Sequence, residues 1–254
     1  MLKVLISGCN GRMGKVVAEI CREAEDVEIA AGFDLLGQKN EDYPIFSSPA
    51  EYSGPGDALI DFSSPGALPS LLEFGLTKHI PLVLATTGYS QEQLEQIEAA
   101  SRDIPIFRSG NMSLGVNVLV GLVKKASAAL GGDFDIEIVE RHHNRKVDAP
   151  SGTALMLADA AAEALSYGPK YTYERQSVRR PREKREIGIS SVRGGNIVGD
   201  HEVIFAGRDE VIELKHSAMS REVFASGALH AARFLVDRKV PRLYSMADLV
   251  GEII

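Results

Sequence analysis

Cysteine is scarce in this sequence: among its 254 residues only Cys9 and Cys21 are cysteines. Neither belongs to a CxxC pair or to a metal-binding spacing, which predicts two small buried thiols in a reducing compartment. The chain also lacks an apolar run approaching the ~18 residues that a membrane span needs. Its first residues lead directly into a predicted strand and not into a signal peptide. We therefore expect a cytoplasmic protein without a membrane partner.

An excess of positive charge is missing as well, since the formal net charge is −7. A nucleic-acid-binding protein neutralises phosphates with clustered cations, so nucleic acid is not an expected partner. The arginine-rich stretch 174–186 is interleaved with glutamates and is interpreted as a solvated loop. The length and the 44% of hydrophobic residues suit one large globular domain or two modest ones.

The first half of the sequence alternates short apolar runs with helical periodicity. The pattern predicts strands over residues 2–7, 27–33, 57–62, 81–85 and 104–108. Ser90 and Gln93 form a predicted capping box that opens one of the intervening helices. Strands that alternate with helices imply a parallel sheet with right-handed crossovers, and hence a Rossmann-type α/β domain.

The pattern changes near residues 112–115, where we place a domain boundary. Beyond it, the sequence predicts a long helix that begins near Val116, a polar loop over 166–186 and a helix over 220–235. Other predicted elements are a helix over 154–165 and strands over 135–139, 188–193, 197–206 and 211–215. Turn residues connect the last three strands, so the second domain is predicted to be α+β with a mixed sheet.

Glycines recur with the spacing G-x-x-G-x-x-G at Gly8, Gly11 and Gly14, between the first predicted strand and the first predicted helix. Such a turn lets the backbone approach a pyrophosphate, and the N–H groups and dipole of the following helix favour that anion. Asp34 ends the second predicted strand, where a carboxylate accepts the adenosine ribose hydroxyls. A purely steric role for the glycines and a capping role for Asp34 are the alternatives. The predicted dinucleotide site comprises Gly8, Cys9, Asn10, Gly11, Arg12, Met13 and Asp34.

The residue after Asp34 bears on the choice of cofactor. It is Leu35 and not an arginine, so no adjacent cation awaits the 2′-phosphate of NADPH, which favours NADH. Lys39 is close enough in the sequence to offer such a cation, so use of both cofactors stays open. Two other segments follow predicted strands at the carboxyl edge, where ligands of such sheets bind, and ordinary loops are the alternative for both. These candidate contacts are Thr86, Thr87, Ser109, Gly110, Asn111 and Met112.

The densest chemistry lies in residues 140–153, which leave a predicted strand and end at a helix N-terminus. Two histidines, two arginines and a lysine within residues 141–146 suit an anionic, carboxylated substrate. His142 and Lys146 are candidates for proton transfer near neutral pH. The amides of Gly152 and Thr153 are placed to bind a carboxylate, and Ser151 to cap the helix.

Two alternatives apply to this cluster. A metal site is one of them, but no further ligand at a recognisable spacing accompanies the two histidines, so no metal is predicted. A solvated basic loop is the other, and the apolar residues and the small-residue helix that follow the cluster argue against it.

Several segments of the chain resemble those of one family. They are residues 8–14, Asp61-Phe62-Ser63, Ala85-Thr86-Thr87-Gly88, residues 110–117, residues 140–153 and residues 192–201. In this order they resemble the 4-hydroxy-tetrahydrodipicolinate reductases of the bacterial lysine pathway, formerly called dihydrodipicolinate reductases. The resemblance covers essentially the whole chain. Its most specific part is the pattern E-x-H-H-x-x-K-x-D-x-P-S-G-T over residues 140–153.

The resemblance implies an NAD(P)H-dependent oxidoreductase that converts 4-hydroxy-tetrahydrodipicolinate to tetrahydrodipicolinate in diaminopimelate and lysine biosynthesis. His142 matches the family's proton donor and acceptor, and Lys146 matches its proton donor. His143, Gly152 and Thr153 match positions that bind the dicarboxylate substrate. The implied chemistry is loss of water from the substrate, hydride transfer from the reduced nicotinamide, and protonation by Lys146 with the help of His142.

The resemblance also implies how the chain is organised. Residues 1–112 form the dinucleotide-binding domain, completed by residues 220–254, and residues 113–219 form the substrate-binding and oligomerisation domain. A homotetramer assembled through the sheets of the second domains is implied, as is a cofactor contact at Ala85. The family often has glutamate and arginine where this chain has Asp34 and Leu35, which favours NADH at least as much as NADPH.

Two other functions are weighed against this one. A semialdehyde dehydrogenase needs a nucleophilic cysteine in its second domain, whereas Cys9 and Cys21 both lie in the first. A regulator that senses NADH without turnover has no use for the His142 and Lys146 pair. A turnover assay separates these functions.

Overall fold

The computed structural model describes residues 1–37, 42–238 and 240–251. In chain order, the strands are β1 (Leu2–Ser7), β2 (Val27–Phe33), β3 (Ile45–Phe46), β4 (Ala58–Asp61), β5 (Leu82–Leu84), β6 (Ile106–Arg108), β7 (Asp135–His142), β8 (Lys170–Thr172), β9 (Glu186–Arg193), β10 (Gly199–Ala206), β11 (Val211–Ala218) and β12 (Leu243–Tyr244). The α-helices are α1 (Arg12–Glu23), α2 (Leu68–Lys78), α3 (Gln91–Ala100), α4 (Leu114–Leu130), α5 (Gly152–Glu163), α6 (Glu222–Val236) and α7 (Met246–Gly251). Two compact units result: Met1–Leu114 together with residues from Arg221 onward, and Gly115–Ser220.

The first unit is built on a seven-stranded parallel sheet with the strand order β12-β6-β5-β4-β1-β2-β3. Its strands are apolar on both faces because helices cover both. Val4 and Ile6 of β1 pack with α1 and α6, and Leu5 packs on the opposite face with α2 and α3. All three of these side chains are fully buried. This arrangement confirms the predicted Rossmann-type α/β domain.

Local sequence signals account for the boundaries of several elements in the first unit. β1 and β2 have the predicted bounds. Ser90 accepts the N–H of Gln93, whose side chain accepts the N–H of Ser90, so the predicted capping box at the start of α3 is confirmed. Helix α6, which follows the second unit in the chain, belongs to this first unit and packs against α1.

The second unit contains a five-stranded mixed sheet with the strand order β11-β10-β7-β9-β8. β7 is parallel to β9 and antiparallel to β10, which confirms the predicted mixed sheet. Helices α4 and α5 contribute Leu119, Val123 and Leu157 to the same core as Ile138 of β7 and Phe205 of β10. Burial alternates along β7, so every second residue from Ile136 to His142 faces that core.

The structure differs from the sequence prediction at several elements, and strand β11, for example, runs to Ala218, three residues beyond its predicted end. Strand β8 lies within residues 166–186, so the prediction of an uninterrupted loop there is wrong. The short strands β3 and β12 extend the first sheet at its two edges and have no counterpart in the prediction. Strand β7 runs three residues beyond the predicted end and includes Glu140 and His142, which places both side chains on a rigid element. In the part of the chain that the structure describes, no helix is long and apolar enough to span a membrane.

Candidate active site

The turn between β1 and α1 brings the three glycines of the motif together. Gly8 has φ +74°, and its N–H donates to the Phe33 carbonyl oxygen at 2.8 Å. A Cβ on Gly8 would lie 2.8 Å from the carbonyl oxygen of Phe62, and one on Gly14 only 2.1 Å from that of Gly8. Both glycines are therefore required by the packing of the chain itself. Gly11 is more open, since its Cβ would lie 3.1 Å from the Gly8 carbonyl oxygen.

Asp34 follows β2 beside this turn. Its carboxylate accepts the N–H of Asn10 at 3.1 Å and the N–H of Leu36 at 3.2 Å. Asp34 thus ties the glycine turn to the end of β2, which is the capping alternative, and also lines a cavity of about 510 Å³. The cavity is lined by Gly8, Gly11, Asp34, Leu35, Ser63, Ser64 and Ser70, among others. The glycine turn, the start of α1 and the Asp34 carboxylate lie together at this cavity, and such an arrangement fits a dinucleotide.

The other predicted cofactor contacts lie at the same carboxyl edge but do not line this cavity. Ala85, Thr86 and Thr87 follow β5, and Ser109, Gly110, Asn111 and Met112 follow β6, in the sheet order β6-β5-β4-β1-β2. Ser109 Oγ accepts the N–H of Asn111 at 3.1 Å and donates to its carbonyl oxygen at 2.8 Å, which folds that segment into a compact turn.

Two predicted contacts have buried side chains. Cys9 and Met112 are each 2% exposed and pack in the core beside α1 and α6, so only their backbone atoms are available to a ligand. Burial, with the nearby Asp34 carboxylate, raises the pKa of the Cys9 thiol to about 11. Arg12 and Met13 are the first residues of α1, and the Arg12 side chain is exposed. Lys39, the candidate partner for a 2′-phosphate, lies outside the described residues.

Asp61 is a buried carboxylate that belongs to the resemblance segment Asp61-Phe62-Ser63 but is not among the predicted site residues. It ends β4, is fully buried, and accepts the backbone N–H of Ser63 at 3.1 Å and its hydroxyl at 2.5 Å. The Tyr89 hydroxyl donates to it at 3.4 Å. These contacts fix the loop after β4, which lines the cavity. A charged residue directly after the apolar run Ala58–Ile60 was the signal for it in the sequence.

The second unit carries the predicted proton-transfer residues. His142 is the last residue of β7, is 8% exposed, and lies two residues from the fully buried Glu140 on the same face of the strand. Its Nδ1 lies 2.5 Å from Oε2 of Glu140. Side chains two residues apart in a strand point to the same face of the sheet, and for this reason Glu140 and His142 are in contact.

Glu140 is held by three elements at once. Arg193, the register partner of His142 on β9, donates to both carboxylate oxygens of Glu140 at 2.7 and 2.8 Å. The Ser151 N–H donates to Glu140 at 3.1 Å. Burial alone raises the pKa of Glu140, but the hydrogen bonds from Arg193 and His142 outweigh it and lower that pKa to about 2. Glu140 is therefore ionised at neutral pH.

His201 on β10 completes the surroundings of His142. The two rings meet edge to face at 5.1 Å between centroids, and the Ser151 hydroxyl lies 2.9 Å from His201 Nε2. Ser151 also accepts the N–H of Ala154, so it is the N-cap of α5. Burial, and then the charge of His142, lower the pKa of His201 to about 4, so this imidazole is neutral at pH 7.

A lowered pKa for His201 predicts a loss of stability in mild acid. The unfolded chain binds a proton on this residue below about pH 6.5, whereas the folded chain does so only near pH 4, so its contribution is lost as the pH falls between these values. In urea titrations, the unfolding free energy of the wild type should fall by about 1–2 kcal/mol more than that of His201→Asn between pH 7 and pH 5. Equal losses in the two proteins would contradict the assignment.

Lys146 lies in the loop between β7 and α5. Its Nζ is 2.9 Å from Oδ1 of Asp148, and the side chains of Lys146 and Asp148 are 20% and 59% exposed. The hydrogen bond from Lys146 holds the pKa of Asp148 below its usual range. Arg193 donates to the Asp148 carbonyl oxygen at 2.7 Å, so the residue that holds Glu140 also fixes the loop that carries Lys146.

The predicted substrate-binding residues flank this loop. His143 directly follows β7 and is half-buried, and Gly152 opens α5 next to Thr153. An added Cβ on Gly152 would meet nothing within 4 Å, so open space faces the start of the helix. The positive end of the helix dipole at that position suits a carboxylate. Among the residues that the structure describes, no group of three or more His, Cys, Asp or Glu side chains could hold a metal ion.

The parallel sheet with its glycine turn, and the acid–base cluster in a separate mixed-sheet unit, define a Rossmann-type nicotinamide-dependent oxidoreductase. Family models described as the N-terminus and the C-terminus of dihydrodipicolinate reductase match residues 2–112 and 115–250. The chain belongs to the dihydrodipicolinate reductase family.

Individual relatives agree with this membership. A 4-hydroxy-tetrahydrodipicolinate reductase from Caldanaerobacter subterraneus subsp. tengcongensis is 53% identical over 253 residues, 98% of each chain. One from Clostridium botulinum is 48% identical and covers 99% of each chain. Among solved structures, a dipicolinate-bound dihydrodipicolinate reductase from Paenisporosarcina sp. TG-14 superposes with a TM-score of 0.83 at 23% identity, over 98% of each chain. At that identity, the last likeness concerns the fold.

Proposed function

We propose that this chain is the reductase that converts 4-hydroxy-tetrahydrodipicolinate to tetrahydrodipicolinate in the diaminopimelate route to lysine, with a reduced nicotinamide as the electron donor. The observation that carries the proposal is the buried Glu140–His142 contact next to the Lys146 loop, in a chain 53% identical to a relative named for this activity. We infer that residues 1–112, completed by 220–254, bind the cofactor, and that residues 113–219 bind the substrate.

The roles of the individual side chains follow from their chemistry. The substrate is a cyclic dicarboxylate, so His143 and the start of α5 at Gly152 and Thr153 hold its carboxylates. A reduced nicotinamide, when bound, supplies a hydride. Lys146 donates a proton from Nζ as the substrate loses water and is reduced, and His142 exchanges protons through Nε2. One substrate, one reduced nicotinamide and one proton give the product, the oxidised nicotinamide and water.

Thiol chemistry is not part of this proposal. Burial raises the pKa of both cysteine thiols, that of Cys9 to about 11, so neither is a thiolate at neutral pH. Both also belong to the first unit, as does the dinucleotide cavity. A semialdehyde dehydrogenase mechanism lacks its nucleophile in this arrangement.

The test is a direct assay. The aldol product of pyruvate and aspartate semialdehyde is supplied to the purified protein, with NADH or NADPH in separate reactions, and the absorbance of the reduced nicotinamide is followed. Loss of absorbance that requires both the substrate and the protein supports the proposal. Protein that binds NADH and shows no turnover with either cofactor is instead a nucleotide sensor.

The assembly and location of the protein are part of the same proposal. The family resemblance supports a cytoplasmic homotetramer built through the sheets of the second units. Light scattering on the purified protein tests the assembly, and a mass of one or two chains contradicts it.

Cofactor preference is predicted from the end of β2. The Asp34 carboxylate accepts hydroxyls and repels a 2′-phosphate, and Leu35, which is 93% exposed at the rim of the cavity, offers no compensating charge. Wild type should use NADH at least as well as NADPH. Leu35→Arg should raise kcat/KM for NADPH relative to NADH by roughly one to two decades, because one charge-assisted contact forms.

Both cofactors are compared at one fixed ionic strength, because salt screens phosphate contacts. Leu35→Gln is the matched control, since it adds a polar side chain without the charge and should leave the ratio near that of wild type. A wild type strongly selective for NADPH contradicts the role given to Asp34 and leaves the reductase proposal intact.

A further inference from the structure

We propose that Glu140 is a positioning residue that holds the His142 imidazole with its proton on Nδ1, and that Arg193 keeps Glu140 in place to do so. The inference rests on the proposed function, in which His142 exchanges protons with the substrate. It adds two residues, Glu140 and Arg193, that touch neither substrate nor cofactor in that mechanism.

The geometry determines which nitrogen of His142 carries the proton. Oε2 of Glu140 lies 2.5 Å from Nδ1, and an ionised carboxylate can only accept a hydrogen bond. Nδ1 must therefore donate, which leaves Nε2 of the neutral ring with its lone pair. Nε2 lies beside Gly199 at the start of β10, where an added Cβ would come within 3.0 Å of it. The side chain of His142 is 10% exposed, so its access to solvent is narrow.

Arg193 allows Glu140 to stay ionised although its side chain is fully buried. A fully buried carboxylate without a partner would take up a proton, and a protonated Glu140 could donate to Nδ1 and reverse the tautomer. The two-pronged contact of Arg193, at 2.7 and 2.8 Å, occupies both carboxylate oxygens and keeps the charge. The Ser151 N–H adds a third donor at 3.1 Å.

Other charged or titratable groups around His142 come from every neighbouring element. They are Arg193 on β9, His201 on β10, and Lys146 and Asp148 in the loop before α5, and His216 on β11 is the register partner of His201. His201 is neutral and Lys146 is paired with Asp148, so Glu140 is the anion in contact with the His142 ring. Removing that anion takes the ionised acceptor away from His142 Nδ1, and it also leaves Arg193 without its partner carboxylate.

The decisive measurement is the ¹⁵N spectrum of histidine-labelled protein, with His142 assigned by its absence in His142→Asn. In the wild type, under conditions where the His142 ring carries a single proton, that proton is expected on Nδ1. In Glu140→Gln, whose amide can both donate and accept, a mixture of tautomers is expected. The kcat of this variant should fall on the order of 10²-fold, because the lone pair of the ring is no longer held at Nε2, through which His142 exchanges protons, and KM should stay within about threefold. Glu140→Asp, which keeps the charge, should recover part of the loss.

Glu163→Gln is the matched control. It makes the same isosteric change in another ion pair of the second unit, the exposed contact with Lys124 at 2.8 Å, and should leave both kcat and the His142 tautomer as in the wild type. Wild-type protein with His142 protonated on Nε2 overturns the proposal, even if Glu140→Gln does not fold. A folded Glu140→Gln with wild-type kcat and tautomer also overturns it. Because the spectrum is independent of turnover, absence of reductase activity in the wild type counts against the proposed function and not against the tautomer.

Discussion

Replacing Lys146 with alanine is expected to lower kcat on the order of 10²–10⁴-fold, since a positioned acid is removed from the reaction. The fold should survive the change. Lys146 pairs with Asp148, and that carboxylate is 59% exposed and becomes solvated when the partner is removed. Exposed pairs of this kind contribute about 1 kcal/mol or less to stability. NADH affinity should also survive, because the residues that line the cavity beside the glycine turn, where we propose that the cofactor binds, all belong to the first unit.

Lys146→Arg separates proton transfer from charge. Arginine keeps the positive charge but holds its proton far more tightly than lysine. The Lys146→Arg variant should therefore have a substrate KM close to that of the wild type and a low kcat. Steady-state kinetics with calorimetric NADH binding on the same preparations provide the measurement. Lys125→Ala, at an exposed lysine of α4, is the control and should behave like the wild type. A Lys146→Ala variant with near-normal kcat removes this residue from the mechanism.

Replacing Gly11 with valine is expected to abolish cofactor binding first and turnover with it. Among the three glycines of the motif, Gly11 is the informative one, because a Cβ on Gly8 or Gly14 would meet backbone atoms at 2.8 and 2.1 Å and disturb the fold directly. A Cβ on Gly11 meets only the Gly8 carbonyl oxygen, at 3.1 Å, and a branched side chain would occupy space intended for a pyrophosphate. We expect NADH affinity to fall by about 10²-fold or more, equivalent to roughly 3 kcal/mol.

Calorimetric titration with NADH measures this effect, and thermal unfolding shows whether the variant is folded. Gly121→Val is the control, since Gly121 is an exposed glycine of α4 where an added Cβ meets nothing within 4 Å. It should retain NADH affinity. Unchanged NADH binding in a folded Gly11→Val would mean that the glycine turn is a structural feature and that the cofactor binds elsewhere.

The elements that the sequence predicted well are those with a strong local signal. β1, α1 and β2 follow from an apolar run, a glycine turn and a period of 3.6 residues, and each of these signals lies within the element itself. Strand β12 carries no such signal. Its two residues, Leu243 and Tyr244, form a strand only because β6 offers hydrogen bonds to a segment from the far end of the chain. Strand β8 likewise depends on its parallel partner β9.

In the candidate site, too, some residues could be predicted from local sequence and others could not. His142, His143, Lys146, Gly152 and Thr153 were selected from one continuous segment, and their roles remain predictions. The partners that determine what His142 can do come from elsewhere in the chain. Arg193 and His201 lie on strands that reach His142 only when β7 is inserted between β9 and β10.

By itself, the sequence determined the class of fold, the position of the glycine turn and the segment that carries the predicted proton-transfer residues, because each is encoded by neighbouring residues. Only the tertiary structure decided that Glu140 is ionised and in contact with His142, and that Cys9 and Met112 direct their side chains into the core. It also decided that Asp34 holds the glycine turn as well as lining the cavity. Burial and hydrogen-bond partners depend on contacts between distant parts of the chain, and no local pattern of residues specifies them.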